Sequence, residues 1–333
     1  MFTYIVRRFL QMIPILILIS ILTFLLLRLA GPDPAEYMIM ANPRIHPEDV
    51  LREKMRLGLV DASGKPLPLY IQYFYWLNQI LHGEWGWSRI WPNQTAFGAI
   101  MLFLPNSLIL MGASLLISLI IAIPIGIYSA LRQYSTFDYT FTTLSFLGMS
   151  LPTFWLGLMS IIIFHLIPSR LFGFPLFPAG DIMSFGKPYQ GTFYDRIWHL
   201  FLPTMVLAIY NMAQWTRYMR SSLLEVIRAD YVRTARAKGL PENKVIYKHA
   251  LRNALIPMVT ILTLSIPGLF AGAVITETVF AYPGVGRMLY QAVLGHDYAV
   301  AMTDILFLAL ITIFFNLVAD ILYAVVDPRI RYS

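Results

Sequence analysis

The residues in this chain best placed to do chemistry are cations. Arg220, Arg228, Arg233, Arg236, Lys238, Lys244, Lys248 and Arg252 crowd one stretch, much of it within EVIRADYVRTARAKGLPENKVIYKHALRNALIP at 225–257. Apolar runs long enough to cross a bilayer flank it on both sides, and membrane proteins collect Lys and Arg in cytoplasmic loops, so the stretch is expected to face the cytosol. Its chemistry is electrostatic docking. Tyr231, Ala235 and the Leu240–Val245 region can form an apolar stripe on a short helix otherwise covered in charge. Such a helix is suited to seat in another protein. Catalytic patterns are missing: the sequence has no G-x-x-x-x-G-K-[ST] phosphate loop, no H-E-x-x-H and no G-x-S-x-G. The histidines lack metal-ligand spacing and cysteine is absent, which removes thiolate sites, disulfides and cysteine nucleophiles. If ATP energises this protein, another subunit hydrolyses it, and the basic loop is where that subunit would bind.

A second set is sparse and polar. Asn106, Asn211, Gln214, Glu277, Asp304, Asn316 and Asp320 lie in or at the edges of apolar runs. Polar groups there either pair between helices or face an aqueous path, and for each residue both readings stand. Glu277 is the first candidate for a passage or gate, because it closes an apolar run just before Tyr282-Pro283-Gly284-Val285-Gly286; Asn211, Gln214 and Asn316 follow it.

The elements that position these residues are read from composition. Of 333 residues, 58% are hydrophobic and 13% charged, with a mean hydropathy of +0.64. That balance excludes a soluble domain and implies an all-α polytopic membrane protein. The formal charge of +7 sits where membrane topology places cations, so nucleic acid is not an expected partner and membrane lipid is. A hydrocarbon core of about 30 Å takes about 20 helical residues. Six runs meet that length: Phe9 to Leu27, Leu104 to Ala130, Tyr139 to Ser169, Ile197 to Thr216, Asn253 to Thr276, and Ala301 to Val326. The first exceeds the apolar core of a cleavable signal and lacks a small-x-small site, so it is expected to stay as an anchor. Six spans put both termini in the cytosol with Arg7, Arg8, Arg132, Arg329 and Arg331, while Arg44 and other cations of the long second segment escape the charge rule.

Three regions follow: 1–29 as cytoplasmic N-terminus and first helix, 30–96 as an extracytoplasmic subdomain, and 97–333 as a transmembrane core with a cytoplasmic basic loop at 218–252. The subdomain opens on GPDP, which stops the helix. Pro47-Glu48-Asp49 starts a short helix through Leu57, residues 61–66 form a turn, and Tyr70, Phe74, Leu77 and Leu81 make one aromatic-rich helix face. That face suits a membrane interface, a partner surface, or both. No internal repeat or inverted symmetry of the secondary-carrier kind is visible.

ADYVRTARAKGL, continuing to KHALRNALIP, resembles the cytoplasmic signature loop of inner-membrane permeases of ATP-binding-cassette importers of the dipeptide/oligopeptide family. IVRRFLQMIPILILISILTFLLLRLAGPDP, GEWGWS, ITETVFAYPGVGRMLYQAVLGHDY and the terminal DPRIR match the same family in order, so the resemblance covers nearly the whole chain. It implies the fold of a type I importer permease and a coupling helix at Asp230, Tyr231, Arg233, Thr234, Ala235, Arg236, Ala237, Lys238 and Gly239. The family's EAA-x-x-x-G pattern falls on Arg233, Thr234, Ala235 and Gly239, with Arg and Thr in place of its first two letters. In this reading small Ala235 permits close approach and Gly239 ends the helix in a conformation costly for other residues. The resemblance further implies a second, homologous permease subunit, two ATPase subunits carrying ATP and Mg, no cofactor on this chain, and an extracytoplasmic substrate-binding protein. Short peptides are the implied cargo; nickel complexes, glutathione and oligosaccharides are alternatives within the class, and a channel or secondary carrier is the alternative outside it.

Overall fold

The structure is a computed structural model and describes residues 2–30 and 46–326. GPDP, Arg44, Arg329, Arg331 and DPRIR lie outside the described residues. Those described are helical apart from turns, irregular connections such as 173–192, and two isolated β-bridges. In chain order the helices are α1 (Phe2–Ala30), α2 (Pro47–Arg56), α3 (Leu69–Leu81), α4 (Ala96–Leu131), α5 (Thr136–Ser150), α6 (Thr153–Phe172), α7 (Phe193–Ile227), α8 (Asp230–Ala237), α9 (Leu251–Ala271), α10 (Val274–Val279), α11 (Val285–Leu294) and α12 (Tyr298–Val326). Among the described residues four segments are long and apolar enough to cross a membrane: Ala96–Leu131, Thr153–Phe172, Glu242–Val279 and Tyr298–Ile321. Leu10–Leu26 is a shorter apolar helix.

Two expected spans are broken. The run from Tyr139 to Ser169 is two helices, because Pro152 drives the residue before it out of the helical region and Leu151 is extended at φ −82, ψ 127. The run from Asn253 to Thr276 is interrupted at Gly272 and Ala273, between α9 and α10. The fourth expected span lies inside α7, whose 35 residues reach roughly 50 Å. By composition α7 is not among the apolar candidates.

The chain divides into two compact units, one of residues up to 103 with 288–314 and the other of 104–287 with the chain from 315 onward. The described part of the segment after α1, residues 46–96, groups with α1 and the start of α12. The reason is its packing on α1. Gln72 and Tyr73 are the buried residues of α3; the Tyr73 hydroxyl pairs with Ser20 Oγ at 2.8 Å and its ring meets Phe24 edge-on. Arg28 Nε donates to Gln72 Oε1 at 3.0 Å. The expected aromatic face points away from this contact, with Tyr70 and Phe74 66% and 63% exposed. α2 has the expected form, with Pro47 in its first turn, Glu48 and Asp49 at its positive end and Lys54 and Arg56 in its last turn. The turn at 61–66 is held by Asp61 Oδ1, which accepts from Ser63 N, Ser63 Oγ and Lys65 N. In the same unit the GEWGWS segment is latched to Asp297, a buried carboxylate accepting from Ser88 Oγ at 2.6 Å and from Arg89 N at 2.8 Å.

In the second unit α7 is the central post. Trp215, Met219 and Leu223 pack with Ala122 and Ala130 of α4, Val232 and Ala235 of α8, and Ala254 and Met258 of α9. Nearer its other end, Leu202, Val206 and Leu207 pack with Leu110, Phe280 and Tyr282. Arg220 is not a free loop cation. It forks onto Asp138 at 2.7 and 2.8 Å, tying α5 to α7, and its guanidinium, through that hydrogen bond, holds the Asp138 carboxyl below the usual carboxylate range.

Candidate coupling helix and translocation face

α8 is eight residues long with Asp230 in its first turn and Arg236 in its last, which suits the helix dipole. Ala229 caps it without a side-chain hydrogen bond. Only Val232 and Ala235 are buried, one turn apart and therefore on one face. They pack in the same core cluster as Met219 and Leu223 of α7 and Val245 and Ala250 of the π-helical turn before α9. The expected stripe of Tyr231, Ala235 and residues 240–245 is thus split. Ala235 and Val245 turn into the chain's own core, while Tyr231 and Leu240 stay exposed at 42% and 36%. The small side chain of Ala235 consequently serves close approach within this chain, because so short a helix must bury its one apolar face to persist.

Asp230, Tyr231, Arg233, Thr234, Arg236, Ala237 and Lys238 are exposed. Arg236 is committed to Glu242 at 2.8 Å, an exposed pair of small energetic weight. Gly239 has φ +75 after the last helical residues, as the sequence suggests, and a Cβ there would meet no atom within 4 Å. A substitution would strain the backbone without a clash.

Glu277, the first candidate for a passage, takes the hydrogen-bonded form of the two readings open to it. Its side chain is fully buried. Oε1 accepts from Ser107 Oγ at 2.8 Å and Ala273 N at 3.1 Å, and Oε2 accepts from Arg287 N at 2.8 Å. Ser107 Oγ in turn accepts from Val285 N, and Asn106 Nδ2 donates to Pro283 O. Gly284 closes the nest: a Cβ on it would lie 2.4 Å from the carboxylate. A buried polar group with every partner inside the chain is an anchor, here joining α4 to the turn between α10 and α11. Sequence reasoning missed Ser107, whose place in an apolar helix carries no local mark.

Asn211 and Gln214 are half-buried and Asn316 is exposed, and none of these three side chains hydrogen-bonds to another described residue. Asn211 and Gln214 also share a face. Steps of three and four along α7 run Asn211, Gln214, Arg217 and Ser221, the last three opposite the buried Met219 and Leu223. Arg217 is exposed, with its guanidinium 5.8 Å from the centre of the Tyr218 ring. Together with Asp195, Arg196, His199, Arg220 and Glu225, this stripe makes α7 more polar than the spans named above. Acyl chains cannot cover such a face; water or another protein can.

Residues 122–332 match the model of the family described as binding-protein-dependent transport system inner membrane component, and residues 1–90 match that of its N-terminal part. The chain is 41% identical to the oligopeptide transport system permease protein AppB of Bacillus subtilis (strain 168). It is 38% identical to the di/tripeptide transport system permease protein DppB of Pseudomonas aeruginosa (strain UCBPP-PA14), and 36% identical to the dipeptide transport system permease protein DppB of Escherichia coli (strain K12). Each comparison covers 100% of both chains. This chain belongs to the family of inner membrane components of binding-protein-dependent transport systems.

Proposed function

We propose that this chain is one permease subunit of an ATP-driven importer of short peptides. A second, similar permease completes the pathway, two ATPase subunits carrying ATP and Mg sit on the cytosolic side, and a substrate-binding protein delivers cargo from outside. Both termini and α8 face the cytosol in this reading. The observation that carries it is the two-sidedness of α8. Val232 and Ala235 lock it to the α7 and α9 core, while Tyr231, Arg233, Thr234, Ala237 and Lys238 look outward toward a groove on the ATPase. A helix so mounted cannot be displaced without moving the long helices with it. Closure of the ATPases on ATP is thereby converted into opening of the pathway outward, and hydrolysis reverses it.

The test is reconstitution. In liposomes this chain alone should carry nothing. With its partner permease, both ATPases and the binding protein, it should import tripeptides in strict dependence on ATP, unaffected by dissipating the proton gradient. Flux of peptides or ions through the single chain without ATP overturns the reading in favour of a channel or carrier.

A further inference from the structure

The polar face of α7 ends in a recess. A cavity of about 320 Å³, at the small end of the range that holds a ligand, opens between α5 and α7. Its polar lining is Thr142 and Ser145 from α5 and Thr216, Arg217, Arg220 and Ser221 from α7.

The hydrogen-bond inventory of this lining is lopsided. Thr142 Oγ1 donates to Asp138 and Ser145 Oγ to the Phe141 carbonyl, which leaves those oxygens as acceptors only. The hydroxyls of Thr216 and Ser221 bond to no described residue and can each donate. Arg220 is neutralised by its two-pronged pair with Asp138. Arg217 makes no ion pair with any described residue. The recess therefore holds one uncompensated positive charge, two free hydroxyl donors and a planar donor fork. A single carboxylate satisfies that set: two acceptor oxygens, one negative charge, and a geometry that a guanidinium binds with two parallel hydrogen bonds.

Arg217 also lies toward the end of α7 that leads into α8, six residues and under two helical turns beyond Asn211. Amide side chains come first along this stripe and a cation last. Asn211 and Gln214 can pair with either end of a peptide unit, and Arg217 only with an anion. We propose that the recess around Arg217 binds the terminal carboxylate of the transported peptide at the cytosolic end of the pathway, so that Arg217 selects cargo with a free C-terminus. This rests on the peptide-import reading and adds a residue and a chemical group to it.

The absence of native cysteine gives a direct test. The Ser145→Cys chain, altered at a lining position whose hydroxyl is already spent on the Phe141 carbonyl, is purified with its partner subunits in lipid nanodiscs without ATP or binding protein and labelled with a maleimide, the rate being read on this chain's gel band. Trialanine at millimolar concentration should slow labelling, and trialanine amide should protect about tenfold less well, the loss of a charge-assisted hydrogen bond. Adding Arg217→Gln should remove the protection by the free acid, and Arg217→Lys should restore part of it. Equal protection by acid and amide, or protection that survives Arg217→Gln, overturns the proposal. So does labelling that follows the phosphatidylglycerol content of the nanodisc and ignores peptide, which assigns the recess to a lipid phosphate. ATP-dependent peptide uptake by the full assembly is scored separately. If it stands while acid and amide are indistinguishable, only the carboxylate site falls; if uptake itself fails, the importer reading falls.

Discussion

Two groups of polar residues are built into the helices of this protein, and they are solved in opposite ways. Around Glu277 each carboxylate oxygen has donors from within the chain, glycine at 284 makes room for it, and no part of the side chain meets solvent. Along α7, Asn211 and Gln214 are half-exposed, Arg217 is exposed, and none hydrogen-bonds to any other described residue. The first arrangement spends its hydrogen bonds on the fold. The second keeps them for something outside the chain. Polarity in a membrane helix is therefore not by itself a sign of a pathway; the sign is polarity that the chain's own packing has left unanswered.

The sharpest way to break this contrast is at Glu277. Glu277→Ala strips the carboxylate from the Ser107 hydroxyl and the Ala273 and Arg287 amides at once. Leaving buried donors unsatisfied costs about 1–3 kcal/mol for each group, and these three share one acceptor group, so about 3–5 kcal/mol is expected in total. The detergent-purified chain should melt well below wild type, with poor recovery from membranes. A melting temperature equal to wild type would show that the nest does not hold the α4 contact and would return Glu277 to the list of pathway residues.

A middle-sized effect separates the two faces of α8. Ala235→Leu forces a larger side chain into the core it shares with Met219, Leu223 and Val245, and overpacking of this kind costs about 1–3 kcal/mol. Tyr231→Ala removes a ring that is 42% exposed and should shift stability by less than about 0.5 kcal/mol. Pull-down of the ATPases should reverse that ranking, with Tyr231→Ala retaining the fold and losing partner recovery. Were Tyr231→Ala to bring down its ATPases as wild type does, the outward face of α8 would not be the docking face.

What the sequence made legible is what local physics decides. Long apolar runs mark helices, Pro47 starts one, Gly239 ends one, and each lies where the pattern puts it. The break at Pro152 was also written locally, but an apolarity count is blind to it. The partners of Glu277 were not legible, since Ser107 stands 170 residues away, and neither was the latch of Ser88 on Asp297 across 209. A residue's polarity can be read alone, whereas its satisfaction depends on contacts at any separation. Ala235 illustrates the same limit: its smallness was plain, and which surface it approaches was not.

The smallest stability effect is the most informative about transport. Asn211→Leu and Gln214→Leu replace half-buried amides with side chains of similar volume, and no described residue loses a hydrogen bond. Stability should change by no more than about 0.5 kcal/mol. If the α7 stripe faces a watery path, each substitution nevertheless greases a surface that must pass peptide groups, which need hydrogen-bond partners in transit. ATP-dependent tripeptide uptake by the reconstituted assembly should then fall about tenfold while the melting temperature stays put. The double variant is the stricter form, since two losses on one face couple when they act on the same cargo. Uptake unchanged in Asn211→Leu/Gln214→Leu would mean that the stripe meets the partner permease, and that the unanswered polarity of α7 belongs to assembly instead of passage.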